Sequence, residues 1–274
     1  MAHDKTRCGG MLRSLKTTAH RAIRKAGLTL QTRIHGHKVY FDPGTDIGWR
    51  LLREGQFEHK EIELCRTFLN SRSVVIDIGA NIGLHTVAFS SMANEGLVFA
   101  VEASPQTFRW LLRNTEGLSN VVPLDVAMGS SNGITEFFVA EDNAYSGLRD
   151  TGRKTLMRVV RVPCYTADHA LLPLLPRKVD MVKIDVEGLE TEVLAGMSTL
   201  LEQSRPVVFC EIFGGDASNP DPEFTIRSLS EKGYRPYTFD GDRLQPFIRH
   251  NDLVYNYFFV PEEKLALYPI LGQR

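Results

Sequence analysis

The segment "VVIDIGANIGLHTVAFS" constrains the fold more than any other part of the chain. A short apolar run ending at Asp77 meets a loop of the form D-x-G-x-N-x-G, and a helical pattern follows from Leu84. A strand with no polar alternation is one covered on both faces. A strand that feeds a helix through a glycine turn is half of a βαβ unit. The pattern recurs down the chain. "LVFAVEA" precedes the helix "SPQTFRWLLRNTEG", with Ser104 as cap and Pro105 at the first helical position. "NVVPLDVAM" is a third strand. "VDMVKIDVEG" precedes a helix over Leu189–Gln203, and "PVVFCEI" precedes "PEFTIRSLSEKG". "RPYTFD" and "YNYFFVP" close the series as strands. This alternation predicts an α/β fold with a mostly parallel sheet and helices on both faces.

Two segments interrupt it. "LQTRIHGHKVYFDPG" alternates around turn residues and reads as an N-terminal hairpin addition within residues 29–56. Residues of about 133–166 read as two antiparallel strands around a long polar tip that contains "AYSGLRD". A long tip of this kind is more often functional than idle. The main domain then spans 57–264, beginning with a helical stripe over Phe57–Asn70, and 265–274 form a C-terminal tail.

In an open parallel sheet, ligands sit beyond the carboxyl ends of the strands. Gly79 and Gly83 allow a tight turn and a close ligand approach, and the helix that follows turns its free N–H groups to the same place. Asn81 tolerates unusual backbone angles. Asp77, expected at the strand tip, repels a pyrophosphate and suits a cationic amine such as that of S-adenosylmethionine. Glu102 ends the second strand 19 residues after Gly83, where a carboxylate accepts both hydroxyls of a ribose. The third glycine of a dinucleotide loop would fall at His85 or Thr86, which argues against a plain dehydrogenase.

"VVIDIGANIGLHTVAFS", "VFAVEASP", "NVVPLDVAMGSSNG", "VPCYTADHAL" and "DMVKIDVEGLETEVLAGM", in this order, resemble the FkbM-type methyltransferases, a branch of the class I S-adenosylmethionine-dependent enzymes. The resemblance runs from about Lys60 to Val260 and rests most on "KIDVEGxE" followed by "VLxGM". It implies a Rossmann-like seven-stranded sheet of order 3-2-1-4-5-7-6. It implies that Asp77, Gly79, Ala80, Asn81, Gly83 and Glu102 bind S-adenosylmethionine, and that Asp125, Val126 and Ala127 frame the adenine. It further implies O-methylation of a hydroxyl on a sugar, a polyketide or a related small molecule.

Methyl transfer to an alcohol calls for a nucleophile held about 3 Å from the methyl carbon and a positioned base. Asp185 and Glu187 at the fourth strand tip, Glu211 at the fifth and His85 after the glycine loop are the candidates. Glu187 read blandly is a charge at a helix start, and Lys183 a strand residue pairing with an acid. Converging carboxylates could instead hold a divalent cation, although no histidine-rich or D-x-D spacing favours one. Tyr145 and Ser146 at the inserted tip offer hydroxyls and an aromatic face to a saccharide acceptor. Two further functions stay open: a nitrogen or macromolecule methyltransferase of the same fold, and a non-catalytic nucleoside-binding module.

Charge bears on partners. The chain of 274 residues has a net charge of −1. Residues 1–28 hold seven Lys/Arg against Asp4, which leaves −7 on the remainder and argues against a nucleic-acid partner. Residues 11–26 read as a basic, weakly amphipathic helix, either a solvated arm or a weak contact with an acidic membrane surface. No apolar run approaches the ~20 residues of a membrane span and no secretory core is present, so a cytoplasmic protein is expected, at most peripheral on a membrane. Cys65 and Cys210 read as reduced core residues. The sequence leaves the oligomeric state open.

Overall fold

The computed structural model describes residues 27–150, 152–214, 219–251 and 253–272. The basic stretch 11–26 lies outside them. The described residues divide into two compact units, with the break between Phe57 and Glu58. In the first, β1 (Leu30–Ile34) and β2 (His37–Phe41) form the expected antiparallel hairpin. A helix that the sequence reading did not anticipate follows, α1 (Asp46–Glu54). Its signal was present: Thr45 caps the N–H of Gly48 at 3.0 Å, and Gly55 ends the helix.

The second unit opens with α2 (His59–Arg66), shorter than the stripe Phe57–Asn70 suggested. Then come β3 (Val74–Ile78), α3 (Leu84–Met92), β4 (Leu97–Val101), α4 (Pro105–Thr115) and β5 (Val121–Leu124). Two short elements, β6 (Ala127–Met128) and α5 (Ala167–Ala170), flank the inserted strands β7 (Gly133–Ala140) and β8 (Leu156–Tyr165). The remainder is β9 (Met181–Ile184), α6 (Glu190–Ala195), α7 (Ser198–Ser204), β10 (Val207–Glu211), α8 (Pro222–Ser230), β11 (Tyr234–Phe239), β12 (Leu244–Pro246) and β13 (Asn256–Pro261).

The large sheet has the order β12-β11-β13-β10-β9-β3-β4-β5. From β10 to β5 all pairings are parallel, and β13 enters antiparallel between β10 and β11. This is the expected 3-2-1-4-5-7-6 arrangement of class I methyltransferases, with β12 added at one edge. Strand parity divides the core. Val74, Ile76, Val182, Ile184 and Val208 pack toward α6, α7 and α8, whereas Val75, Met181, Val207 and Phe209 pack toward α2 and α3. Each such buried side chain contributes about 1.5–3 kcal/mol through its apolar area.

Two further elements depart from the sequence reading. The run read as one strand, "NVVPLDVAM", divides at Asp125 and Val126, so that β6 leaves the main sheet and pairs with β8 in a sheet of order β6-β8-β7. The helix read over Leu189–Gln203 breaks at Gly196–Met197. Gly196 packs directly on the backbone of Gly129, where a Cβ would stand 2.0 Å from the carbonyl oxygen. The Asp168 carboxylate then accepts the N–H groups of Thr199 and Leu200, both at 2.8 Å, and so caps the second segment. Cys65, Cys164 and Cys210 are buried free thiols. Among the described residues no helix is long and apolar enough to cross a membrane.

Candidate active site

The site grows out of strand register. Asp77 of β3 lies opposite Lys183 of β9, which lies opposite Phe209 of β10. Alternation puts Asp77 and Lys183 on the otherwise apolar face of Val75, Met181 and Val207. Two buried charges there must satisfy one another. Lys183 Nζ is 3.6 Å from Asp77 Oδ1 and 3.3 Å from Asp185 Oδ2, and the Thr86 hydroxyl donates to Asp77 Oδ2 at 2.6 Å. Burial works against the Lys183 charge, but Asp185, Asp77, Glu58 and Glu211 hold its pKa above the ordinary value. Burial raises the Asp77 pKa, against the pull of Lys183 and Thr86. Asp77 is fully buried and stands one residue inside the strand end. Where the sequence suggested a cofactor amine beside it, the protein groups that its carboxylate faces are Lys183 and Thr86.

The glycine loop abuts the tip of β9. Gly79, at φ 77°, lies so close to Asp185 that a Cβ would meet the carbonyl oxygen at 1.8 Å. Gly83, at φ 91°, opens α3 against Leu111. Between them Ala80 is buried, and Asn81 adopts φ 51°. Glu102, just past β4, accepts the N–H of Asn81 on Oε2 at 2.9 Å and that of Ser104 on Oε1 at 2.7 Å. Burial pushes its pKa up to about 7, although both N–H donors pull it down. Asp125 is exposed beyond β5, Val126 is half-buried and Ala127 is buried in β6.

Carboxylates crowd the same end of the sheet. The Asp185 side chain keeps 32% exposure beside Lys183. Glu187 adopts φ 55°, an uncommon conformation for a residue with a side chain, and accepts Arg153 Nη1 on Oε2 at 2.7 Å. Burial, then Asp185, raises its pKa to about 8. Glu211, at the end of β10, is raised well above its ordinary value by burial, then by Asp185 and Glu58. Glu190 fixes the turn between them. Its Oε1 accepts the Gly188 N–H and its Oε2 the Asn219 amide, both at 2.8 Å. Among the described residues no group of three or more His, Cys, Asp or Glu could hold a metal ion.

Other predicted site residues are placed differently from expectation. His85 is 5% exposed, tilted against Phe89 and Phe209, with Nε2 3.7 Å from Glu58 Oε2. Burial, then Lys183, holds its pKa well below the ordinary value, so the ring is neutral. It belongs to the layer beneath the sheet rather than to the loop surface. The Ser146 hydroxyl is engaged within the hairpin, where it accepts the Ala140 N–H at 3.0 Å. Tyr145 lies under the cations of Arg153 and Lys154, at 4.6 and 4.8 Å from its ring centroid. The sequence reading missed Thr86, Asn143, Arg153 and Asn219. Each acts on a partner 9 to 62 positions away, beyond the reach of any local pattern.

The buried acids predict a pH dependence. Glu102, Glu187 and Glu190 have folded pKa values of about 7, 8 and 7, against 4.5 ordinarily. Between those limits the folded chain holds protons that the unfolded chain has released, so stability falls as pH rises. The thermal midpoint of the ligand-free protein should be higher near pH 5.5 than near pH 8.5, as measured by calorimetry across that range.

Comparison with known proteins places the chain in a family by sequence. The family profile described as "Methyltransferase FkbM domain" matches residues 77–236. Hexuronic acid methyltransferase AglP of Haloferax volcanii is 33% identical over 184 residues, covering 67% of this chain and 72% of that protein. Methyltransferase sdnD of Sordaria araneosa is 29% identical over 184 residues, covering 53% of this chain and 69% of that protein. A solved FkbM methyltransferase from Methylobacillus flagellatus superposes with a TM-score of 0.46 at 12% identity, over 71% of this chain and 47% of that one. The profile extends from the buried Asp77 through the Asp185 turn to β11, more than half of the sequence, and the chain belongs to the FkbM methyltransferase family.

Proposed function

We propose that this protein transfers the methyl group of S-adenosylmethionine to a hydroxyl of a sugar or sugar-bearing small molecule, with Asp185 as the general base. The observation that supports this most is the backbone contact between Gly79 and Asp185, which joins the glycine loop to a cluster of carboxylates. The residues present suit the cofactor. Each Glu102 oxygen takes one N–H and keeps a lone pair for a ribose hydroxyl. Asp125, Val126 and Ala127 would border the adenine, and the loop of Gly79, Ala80, Asn81 and Gly83 the amino-acid end. When bound, S-adenosylmethionine supplies an electrophilic methyl carbon on a sulfonium.

Asp185, partly open to solvent and oriented by Lys183, would take the proton of the acceptor hydroxyl as that oxygen gains the methyl group and the sulfur leaves as a neutral thioether. Glu187 and Glu211, whose pKa values burial and Asp185 raise, stand near the base as mainly neutral hydrogen-bonding groups at pH 7. Lys183 acts through Asp185 and is a positioning residue. Tyr145 and Phe213, bridged by the Arg153 guanidinium at 4.6 and 5.3 Å, offer aromatic faces of the kind that a sugar ring stacks on. The hexuronic acid named for the Haloferax volcanii relative is an acceptor of this class.

The test is transfer of radiolabelled methyl from S-adenosylmethionine to a panel of neutral sugars, uronic acids, peptides and RNA. Label is expected on a carbohydrate hydroxyl. Label on peptide or RNA, with none on any carbohydrate, would overturn the acceptor class.

A further inference from the structure

The tip of the inserted hairpin reaches back to the glycine loop through one residue, Asn143. Its Nδ2 donates to Asn81 Oδ1 at 2.8 Å, across 62 positions of sequence. Asn81 Oδ1 also accepts the N–H of Ile82 at 2.9 Å, so it can offer Asn143 only an acceptor. That sets the direction of the Asn143 amide: the NH2 faces Asn81 and the carbonyl faces away. The Asn143 Oδ1 atom so placed is buried and takes no hydrogen bond. A buried acceptor without a donor is costly, and native structures keep few of them unless a ligand or a function accounts for the cost.

The neighbourhood indicates which ligand group accounts for it. Asn143 opens a short turn, Asn143–Tyr145, capped by the Asp142 carboxylate, which accepts the Ala144 N–H at 3.2 Å. The chain then returns through Gly147, which exchanges hydrogen bonds with Phe138 at 2.8 and 3.1 Å. Gly147 also lies against the β9 tip, where a Cβ would stand 3.6 Å from Glu187 Cβ and 3.7 Å from the Val186 carbonyl oxygen. The tip thus touches the glycine loop on one side and the turn after β9 on the other. Glu102, assigned to the ribose, and Asp125, assigned to the adenine, lie toward the opposite edge, beyond β4 and β5. On the β9 side the cofactor presents its amino-acid end, whose hydrogen-bond donor is the ammonium.

We propose that Asn143 is a cofactor-binding residue, whose side-chain oxygen accepts a hydrogen bond from the ammonium of the methionine end. This rests on the cofactor assignment made above. It gives the inserted hairpin a role in cofactor recognition in addition to any contact with the acceptor, and makes Asn81 the bracket that holds Asn143 in place.

The test is a binding cycle read by calorimetry with three ligands: S-adenosylhomocysteine, its analogue without the amine, and 5′-methylthioadenosine, which lacks the amino-acid end. A hydrogen bond to a charged group corresponds to about 10- to 100-fold in affinity. Asn143→Ala should weaken S-adenosylhomocysteine by that factor. The desamino analogue and methylthioadenosine should each change by less than about 3-fold. Asn143→Ser, a smaller perturbation of the turn that also withdraws the amide oxygen, is measured beside it, so that the outcome does not depend on one variant folding. Glu102→Ala should weaken all three ligands, since all contain the ribose. Equal losses for all three ligands in the Asn143 variants, or no loss for S-adenosylhomocysteine, would overturn the ammonium contact. Absence of binding by the unaltered protein to any of the three would instead overturn the cofactor assignment.

Discussion

Asp185→Asn should lower the turnover of methyl transfer by about 100- to 10,000-fold, the usual contribution of a general base. Affinity for S-adenosylhomocysteine should stay within a few-fold of the unaltered protein. The substitution keeps the shape of the side chain and removes its proton-accepting oxygen. Lys183 retains its contact with Asp77, so the layer below the site stays charge-paired. Among the carboxylates at this end of the sheet, Asp185 combines partial exposure, a cationic neighbour at 3.3 Å and backbone contact with the glycine loop. Single-turnover kinetics with the labelled cofactor, alongside calorimetry, separates the chemical step from binding. Turnover within a few-fold of the unaltered protein would transfer the role to Glu187 or Glu211.

Lys183→Met should destabilise the fold by about 3–5 kcal/mol, the cost of breaking a buried ion pair from one side. For a protein of this size the thermal midpoint then falls by about 6–20 °C. Asp77 is fully buried, and without Lys183 its remaining polar partner is the Thr86 hydroxyl. Adding Asp77→Asn in the same background removes the stranded charge and should recover much of the loss. The ordering of the three proteins by calorimetric midpoint is the test. Equal midpoints for the single and double variants would mean that Lys183 acts mainly through Asp185.

Much of this was legible beforehand where the signal is local. The apolar run before Gly79 and the Ser104–Pro105 start both specify elements through a few adjacent residues, and both appear as read. Glu102 was identified by distance from the glycine loop and stands beside it, bonded to the Asn81 N–H. Asp77 stands out in the sequence as unusual, and the structure gives it Lys183 and Thr86 as protein neighbours. A carboxylate in an apolar run announces a partner without saying whether that partner is a ligand or Lys183. The helix over Leu189–Gln203 was read as continuous because Leu, Glu and Ala favour one. What interrupts it, Gly129 against Gly196 and the Asp168 cap, comes from other parts of the chain.

The sequence by itself determined the succession of strands and helices, the place of the glycine loop and the acids at the strand tips, because period, capping and turn chemistry act over a few residues. It also carried the family motifs. Only the tertiary structure decided what those groups face. Parity along one strand places Asp77 and Lys183 on some face, but lateral register, set by packing across the whole sheet, makes them opposite one another. The path of the insertion over about residues 133–166 likewise follows from where its tip can bury itself and bond, and that brought Asn143 to Asn81 and Arg153 to Glu187. Contacts between distant segments form only when the chain has closed the loops between them, so no short window of sequence contains them.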